Sequence, residues 1–135
     1  MIKLMIADDD AKVRSAINLL LDQDQACWRV IAEVSNVNDL FEKVQKEKPQ
    51  LVLLDWELPE ECCVEKQPPY FQLNDRIRHL RKLNPKMYII VLSSKPQVKL
   101  DALDAGADNF VSKGDPPEVF LSALYSICSD PLSYF

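Results

Sequence analysis

Four short stretches carry side chains that can act together on a phosphoryl group. They are Asp8-Asp9-Asp10, the single Asp55, Ser93-Ser94 and Ser112-Lys113. A helix cap accounts for one carboxylate of the triplet, Asp10, but not for three. If Asp8, Asp9 and Asp55 converge, their like charges repel, and a proton or a cation must relieve them. Few protein donors, all of them oxygen, suit Mg²⁺, which keeps several waters and accepts phosphate oxygens. Lys113 adds a fixed positive charge, and Ser93 adds a hydroxyl donor. Taken singly, each residue has a plainer reading: a turn Asp, a capping Ser, a solvated Lys. Their joint placement is what calls for chemistry.

That placement depends on the elements around them. Ile2 to Ala7 is a short apolar run that reads as a strand ending at Asp8. Val13, Ala16, Ile17, Leu20 and Leu21 then share one helical face. Trp28 to Val34 reads as a second strand, followed by a helix marked by Val37, Leu40, Phe41 and Val44. Leu51 to Leu54 and Tyr88 to Leu92 are apolar at nearly every position, as expected of strands covered on both faces. Leu73, Ile77 and Leu80 mark a helix stopped at Asn84-Pro85. Val98 to Ala105 reads as a short helix ended by Gly106. Asn109 to Val111 is a brief strand, and Asp115-Pro116-Pro117 opens a last helix whose apolar face is Phe120, Ala123, Leu124 and Ile127. Five strand–helix units in series imply an α/β fold with a parallel, doubly wound sheet. Ligands of such sheets bind at the carboxyl ends of the strands, where the four stretches lie.

Composition narrows the field. The 135 residues suit one domain, taken as 1–128 with a tail at 129–135. A net charge of −5 argues against direct nucleic-acid binding. Two glycines exclude a glycine-rich phosphate loop. No apolar run is long enough for a membrane span or a signal peptide, so the expected compartment is the cytoplasm. The four cysteines are read as reduced thiols; vicinal Cys62-Cys63 and the single His79 make a poor zinc set.

The chain resembles the receiver domain of two-component response regulators. The resemblance is carried by Ile6-Ala7-Asp8-Asp9-Asp10, by Leu51-Val52-Leu53-Leu54-Asp55 with Leu58-Pro59, by Ile90-Val91-Leu92-Ser93-Ser94, and by Ala105 to Lys113. It implies a flavodoxin-like three-layer sandwich with strand order 2-1-3-4-5. It implies that Asp55 accepts a phosphoryl group from a sensor histidine kinase or phosphotransfer protein. Mg²⁺ would be held by Asp8, Asp9, Asp55 and the backbone carbonyl of Glu57. Ser93 and Lys113 would contact the phosphoryl oxygens, and Ser93 and Phe110 would form the switch. Glu57 and Lys95 occupy positions that influence phosphoryl lifetime, and their opposite charges are expected to pair across the site mouth. A downstream output domain or protein would read the face made by the last two helices and strand five. Any homodimer would use that same face. The domain would catalyse only its own phosphorylation and dephosphorylation.

Two departures stand out. Gly114 follows Lys113 where the family usually has a cis-proline; a cis bond before Gly costs about 3 kcal/mol, so a trans bond or a locally rearranged loop is expected. The stretch 60–74 is longer than the family's usual connection and is read either as a partner-contacting or shielding segment or as a tolerated insertion. Two rival functions are a non-phosphorylated interaction module and a Mg²⁺-dependent phosphohydrolase with an aspartyl-phosphate intermediate. The second usually carries an Asp two residues after the nucleophile, where this chain has Glu57. The first has no need of the charge cluster.

Overall fold

The computed structural model describes residues 1–24, 27–60 and 73–128. Five strands alternate with five helices: β1 (Ile2–Ala7), α1 (Ala11–Leu21), β2 (Trp28–Val34), α2 (Val37–Glu47), β3 (Leu51–Asp55), α3 (Leu73–Leu83), β4 (Tyr88–Ser93), α4 (Lys99–Ala105), β5 (Asn109–Ser112) and α5 (Pro117–Cys128). All strand pairs are parallel, in the order β2-β1-β3-β4-β5. The expected element order and strand order are both found.

The apolar runs sort by parity, because successive side chains of a strand point to opposite faces. Leu51 and Leu53 of β3 join Ile17 and Leu21 of α1 and Phe120, Leu124 and Ile127 of α5 in one core. Val52 and Leu54 join Leu40 and Val44 of α2, Ile77 and Leu80 of α3, and Ala102 and Ala105 of α4 in the other. β3 is buried at every position, which is why its sequence shows no polar alternation.

Local signals set the ends. Asp10 caps α1 by accepting from the Lys12 N–H at 2.9 Å. Asn36 caps α2 by accepting from the Asp39 N–H at 2.8 Å. Gly106 ends α4 at φ +116°, a conformation that costs a residue with a Cβ. The helix expected from Val98 begins with a 3₁₀ turn at Pro96–Val98 and becomes α-helical at Lys99. The Lys113–Gly114 bond is trans, as expected. Cys62, Cys63, nearly all of the 60–74 stretch and the 129–135 tail lie outside the described residues. Cys27 is half-buried and Cys128 is buried.

Candidate functional site

The sheet register brings the four stretches together. Ala7 stands opposite Leu54, so the next step on each strand sets Asp8 beside Asp55. Asp55 pairs with Leu92, and Ser93 pairs with Ser112. The Lys113 N–H then donates to the Ser93 carbonyl at 2.8 Å, which carries Lys113 past the end of β5 and over the carboxylates.

Asp8 and Asp55 are buried, at 0% and 3% exposure, while Asp9 faces solvent. Carboxylate oxygens of Asp8, Asp9 and Asp55 all lie within 4.8 Å of one another. Lys113 Nζ bridges the two buried ones, 2.8 Å from Asp8 Oδ2 and 3.4 Å from Asp55 Oδ1. Burial and the neighbouring charge of Asp8 push the Asp55 carboxyl up to about 7, against the pull of Lys113 and of the Glu57 N–H. Burial disfavours the charged form of Lys113, but close contact with Asp8 and the charge of Asp55 outweigh it and hold the ammonium above its usual value. One ammonium therefore serves two carboxylates, and the cluster remains short of positive charge. Asp8 Oδ2 is fully buried, and its close polar neighbour is the Lys113 ammonium at 2.8 Å. This donor set, three carboxylates open to solvent through Asp9, fits a hard divalent cation such as Mg²⁺.

Glu57 follows in the turn after β3, where its N–H donates to Asp55 Oδ1 at 3.2 Å. The expected Glu57–Lys95 ion pair is not formed. Glu57 Oε1 instead accepts from Ser93 Oγ at 2.8 Å, and Ser93 Oγ accepts from the Lys95 N–H at 3.0 Å. Ser93 is fully buried and needs an acceptor close by, whereas the Lys95 ammonium is solvated at the surface. Trp56, in the turn just after β3, is buried in the core that holds Val52, Leu54 and Leu58, away from the core of Leu51 and Leu53. Phe110 is buried in the same core at 8% exposure.

Two arginines near the site were not singled out by the sequence reading. Arg76 of α3 is buried at 6% exposure and donates from Nη1 to the Leu58 carbonyl, tying down the loop after Asp55. Burial lowers its pKa, partly offset by the charges of Glu60 and Asp55. Its signal was its spacing, since it lies four residues before Leu80 on the buried stripe of α3. Arg14 of α1 donates from Nη1 to the Asp8 carbonyl at 2.6 Å.

The profile described as "Response regulator receiver domain" matches residues 4–125. The chain belongs to the response regulator receiver domain family. This receiver is 28% identical over 127 residues to the chemotaxis protein CheY of Thermotoga maritima, covering 93% of this chain and 96% of that one. It is 28% identical over 136 residues to the protein-glutamate methylesterase/protein-glutamine glutaminase of Treponema denticola, covering 98% of this chain but only 33% of the relative. It thus spans the whole of one relative and a third of another. The fold matches a structure of the RcsB response regulator of Salmonella typhimurium with a TM-score of 0.81 at 23% identity, over 98% of this chain and 63% of that one. No helix among the described residues is long and apolar enough to cross a membrane.

Proposed function

We propose that this receiver, as residues 1–128, accepts a phosphoryl group on Asp55 from a phosphohistidine of a sensor kinase or phosphotransfer protein. The carrying observation is the cluster itself: the Asp8, Asp9 and Asp55 carboxylates within 4.8 Å, with Lys113 bridging the two buried ones. A module that only bound partners would have no use for like charges held so close in a buried site.

In the proposed step, an ionised Asp55 oxygen attacks phosphorus as the phosphorus–nitrogen bond to histidine breaks. The products are an acyl phosphate and a free imidazole. Lys113 stands beside Asp55 Oδ1 and meets the charge of the arriving group. Ser93 offers its hydroxyl from the end of the neighbouring strand. Asp8, Asp9, Asp55 and the Glu57 carbonyl would hold Mg²⁺, which supplies charge stabilisation to the transferring oxygens. Hydrolysis of the acyl phosphate resets the domain, and Glu57 and Lys95 flank the path of the attacking water.

Ser93 and Phe110 form the proposed switch. Ser93 is turned inward at the end of β4, and Phe110 packs beneath α4 on β5. A shift of Ser93 towards a phosphoryl group changes the packing available to Phe110, and the face of α4, β5 and α5 carries that change to an output domain or partner protein. The proposed setting is the cytoplasm, where such kinases release their signal.

The test is incubation with acetyl phosphate and Mg²⁺, followed by intact mass spectrometry beside Asp55→Asn. A Mg²⁺-dependent gain of one phosphoryl group in the wild type alone is expected. An equal gain in the variant would move the acceptor elsewhere.

A further inference from the structure

Each polar atom of Asp8 faces a group that restrains it. Its N–H donates to the Val34 carbonyl at 3.0 Å. Oδ1 accepts from the Asp10 N–H at 2.9 Å, and Oδ2 faces Lys113 Nζ at 2.8 Å. The remaining atom, its carbonyl oxygen, accepts from Arg14 Nη1 at 2.6 Å. Asp9 differs: its carboxylate is exposed and has no hydrogen-bond or ion-pair partner among the described residues. The direction of the Asp9 side chain is therefore set by its backbone. Because the peptide unit is planar, fixing the Asp8 carbonyl fixes the Asp9 N–H and the path into Asp9 Cα.

Arg14 is itself held. Its Nε lies 3.3 Å from Glu33 Oε1 on β2. Asn18 Nδ2 reaches Glu33 Oε2 at 3.3 Å and the Arg14 carbonyl at 3.0 Å. The guanidinium thus spans from the end of β1 to the outer strand of the sheet. Glu33 also balances its charge, so a cation near the carboxylates meets a neutral pair rather than a bare guanidinium. The planar fork suits two directed contacts at once, which an ammonium does not match.

We propose that Arg14, oriented by Glu33 and Asn18, is a positioning residue for the divalent-cation site. It holds the Asp8–Asp9 peptide so that both carboxylates face Asp55. This rests on the reading of Asp8, Asp9 and Asp55 as the Mg²⁺ site. The groups that orient metal ligands commonly change affinity by about 10–100-fold when removed.

The experiment is a Mg²⁺ titration of the full chain, followed by Trp56 fluorescence and by calorimetry, with unfolding in EDTA measured in parallel. Arg14→Met is expected to weaken Mg²⁺ binding by about 10-fold. Arg14→Lys should recover part of that loss, since an ammonium still donates to the Asp8 carbonyl. Glu33→Gln should weaken binding less than Arg14→Met while leaving the unfolding midpoint in EDTA nearly unchanged. Unchanged or tighter binding in a folded Arg14→Met protein overturns the proposal; tighter binding would mean that the guanidinium acts only as a repelling charge. If Arg14→Met does not fold, wild-type affinity in both Arg14→Lys and Glu33→Gln overturns it. A folded wild type that binds no Mg²⁺ would overturn the metal-site reading instead.

Discussion

Ser93 Oγ donates its only proton to Glu57 Oε1 at 2.8 Å, across 36 residues of sequence. The hydroxyl proposed to bind the phosphoryl group is thus engaged by a carboxylate of the chain itself. A phosphoryl group on Asp55 must take over that donor and sit beside the charge of Glu57. Glu57→Ala is therefore expected to tighten binding of beryllofluoride, a phosphoryl mimic, by about 10-fold, part of the 1.5–3 kcal/mol typical of a hydrogen bond to a charged group. The gain should shrink in a Ser93→Ala background. An equal gain in both backgrounds would assign the effect to charge alone.

Asp55 makes the metal-free protein sensitive to pH. Its folded pKa, about 7, lies above the ordinary 3.8. The fold therefore favours the protonated carboxyl, and this contribution is complete below pH 3.8 and lost as pH rises through about 7. Asp55→Asn cannot ionise, so it should exceed the wild type in stability at pH 8 in EDTA, with an advantage of the order of 2–4 kcal/mol that fades towards pH 5. Urea unfolding at the two pH values measures it.

Lys113→Met removes the ammonium that serves both buried carboxylates. In EDTA the loss should be about 1–3 kcal/mol, between that of an exposed and a fully buried pair. Mg²⁺ held at the proposed site would supply positive charge to the same oxygens, so the rise in Tm on adding Mg²⁺ should be larger in the variant than in the wild type. Thermal scans with and without Mg²⁺ decide this. A smaller rise would place the Lys113 charge outside the cation's balance.

Leu53 is fully buried in the central strand, on the side of α1 and α5. Leu53→Ala should cost about 2–5 kcal/mol through lost burial and a residual cavity. Trp56 belongs to the other core, so the Mg²⁺-dependent fluorescence of the protein that remains folded should keep its midpoint.

The strands, the helices between them and the ends that carry Asp8, Asp55, Ser93 and Lys113 are all readable in the order of residues. Leu51 to Leu54 is apolar throughout because both faces of β3 are covered, and alternation with helical periods leaves few topologies other than a parallel sheet. Trp56 lies one residue past β3, and its burial with Val52 and Leu54 extends the alternation of that strand by one step. These features depend on which face of an element meets the core, and local periodicity encodes that directly.

Tertiary structure decided the partners of the polar groups. Glu57 and Lys95 looked like a natural ion pair from their charges, yet Glu57 accepts from Ser93. Nothing in the order of residues sets Arg14 apart from the other polar positions of α1, yet it holds the Asp8 carbonyl. Arg76 is one of several charged residues on α3, yet it is buried against the loop after Asp55. A hydrogen bond forms or fails within a few tenths of an ångström, and that distance is set by how distant strands and helices pack together. Periodicity says which side of an element is buried; only the packed chain says which acceptor lies within reach of one proton.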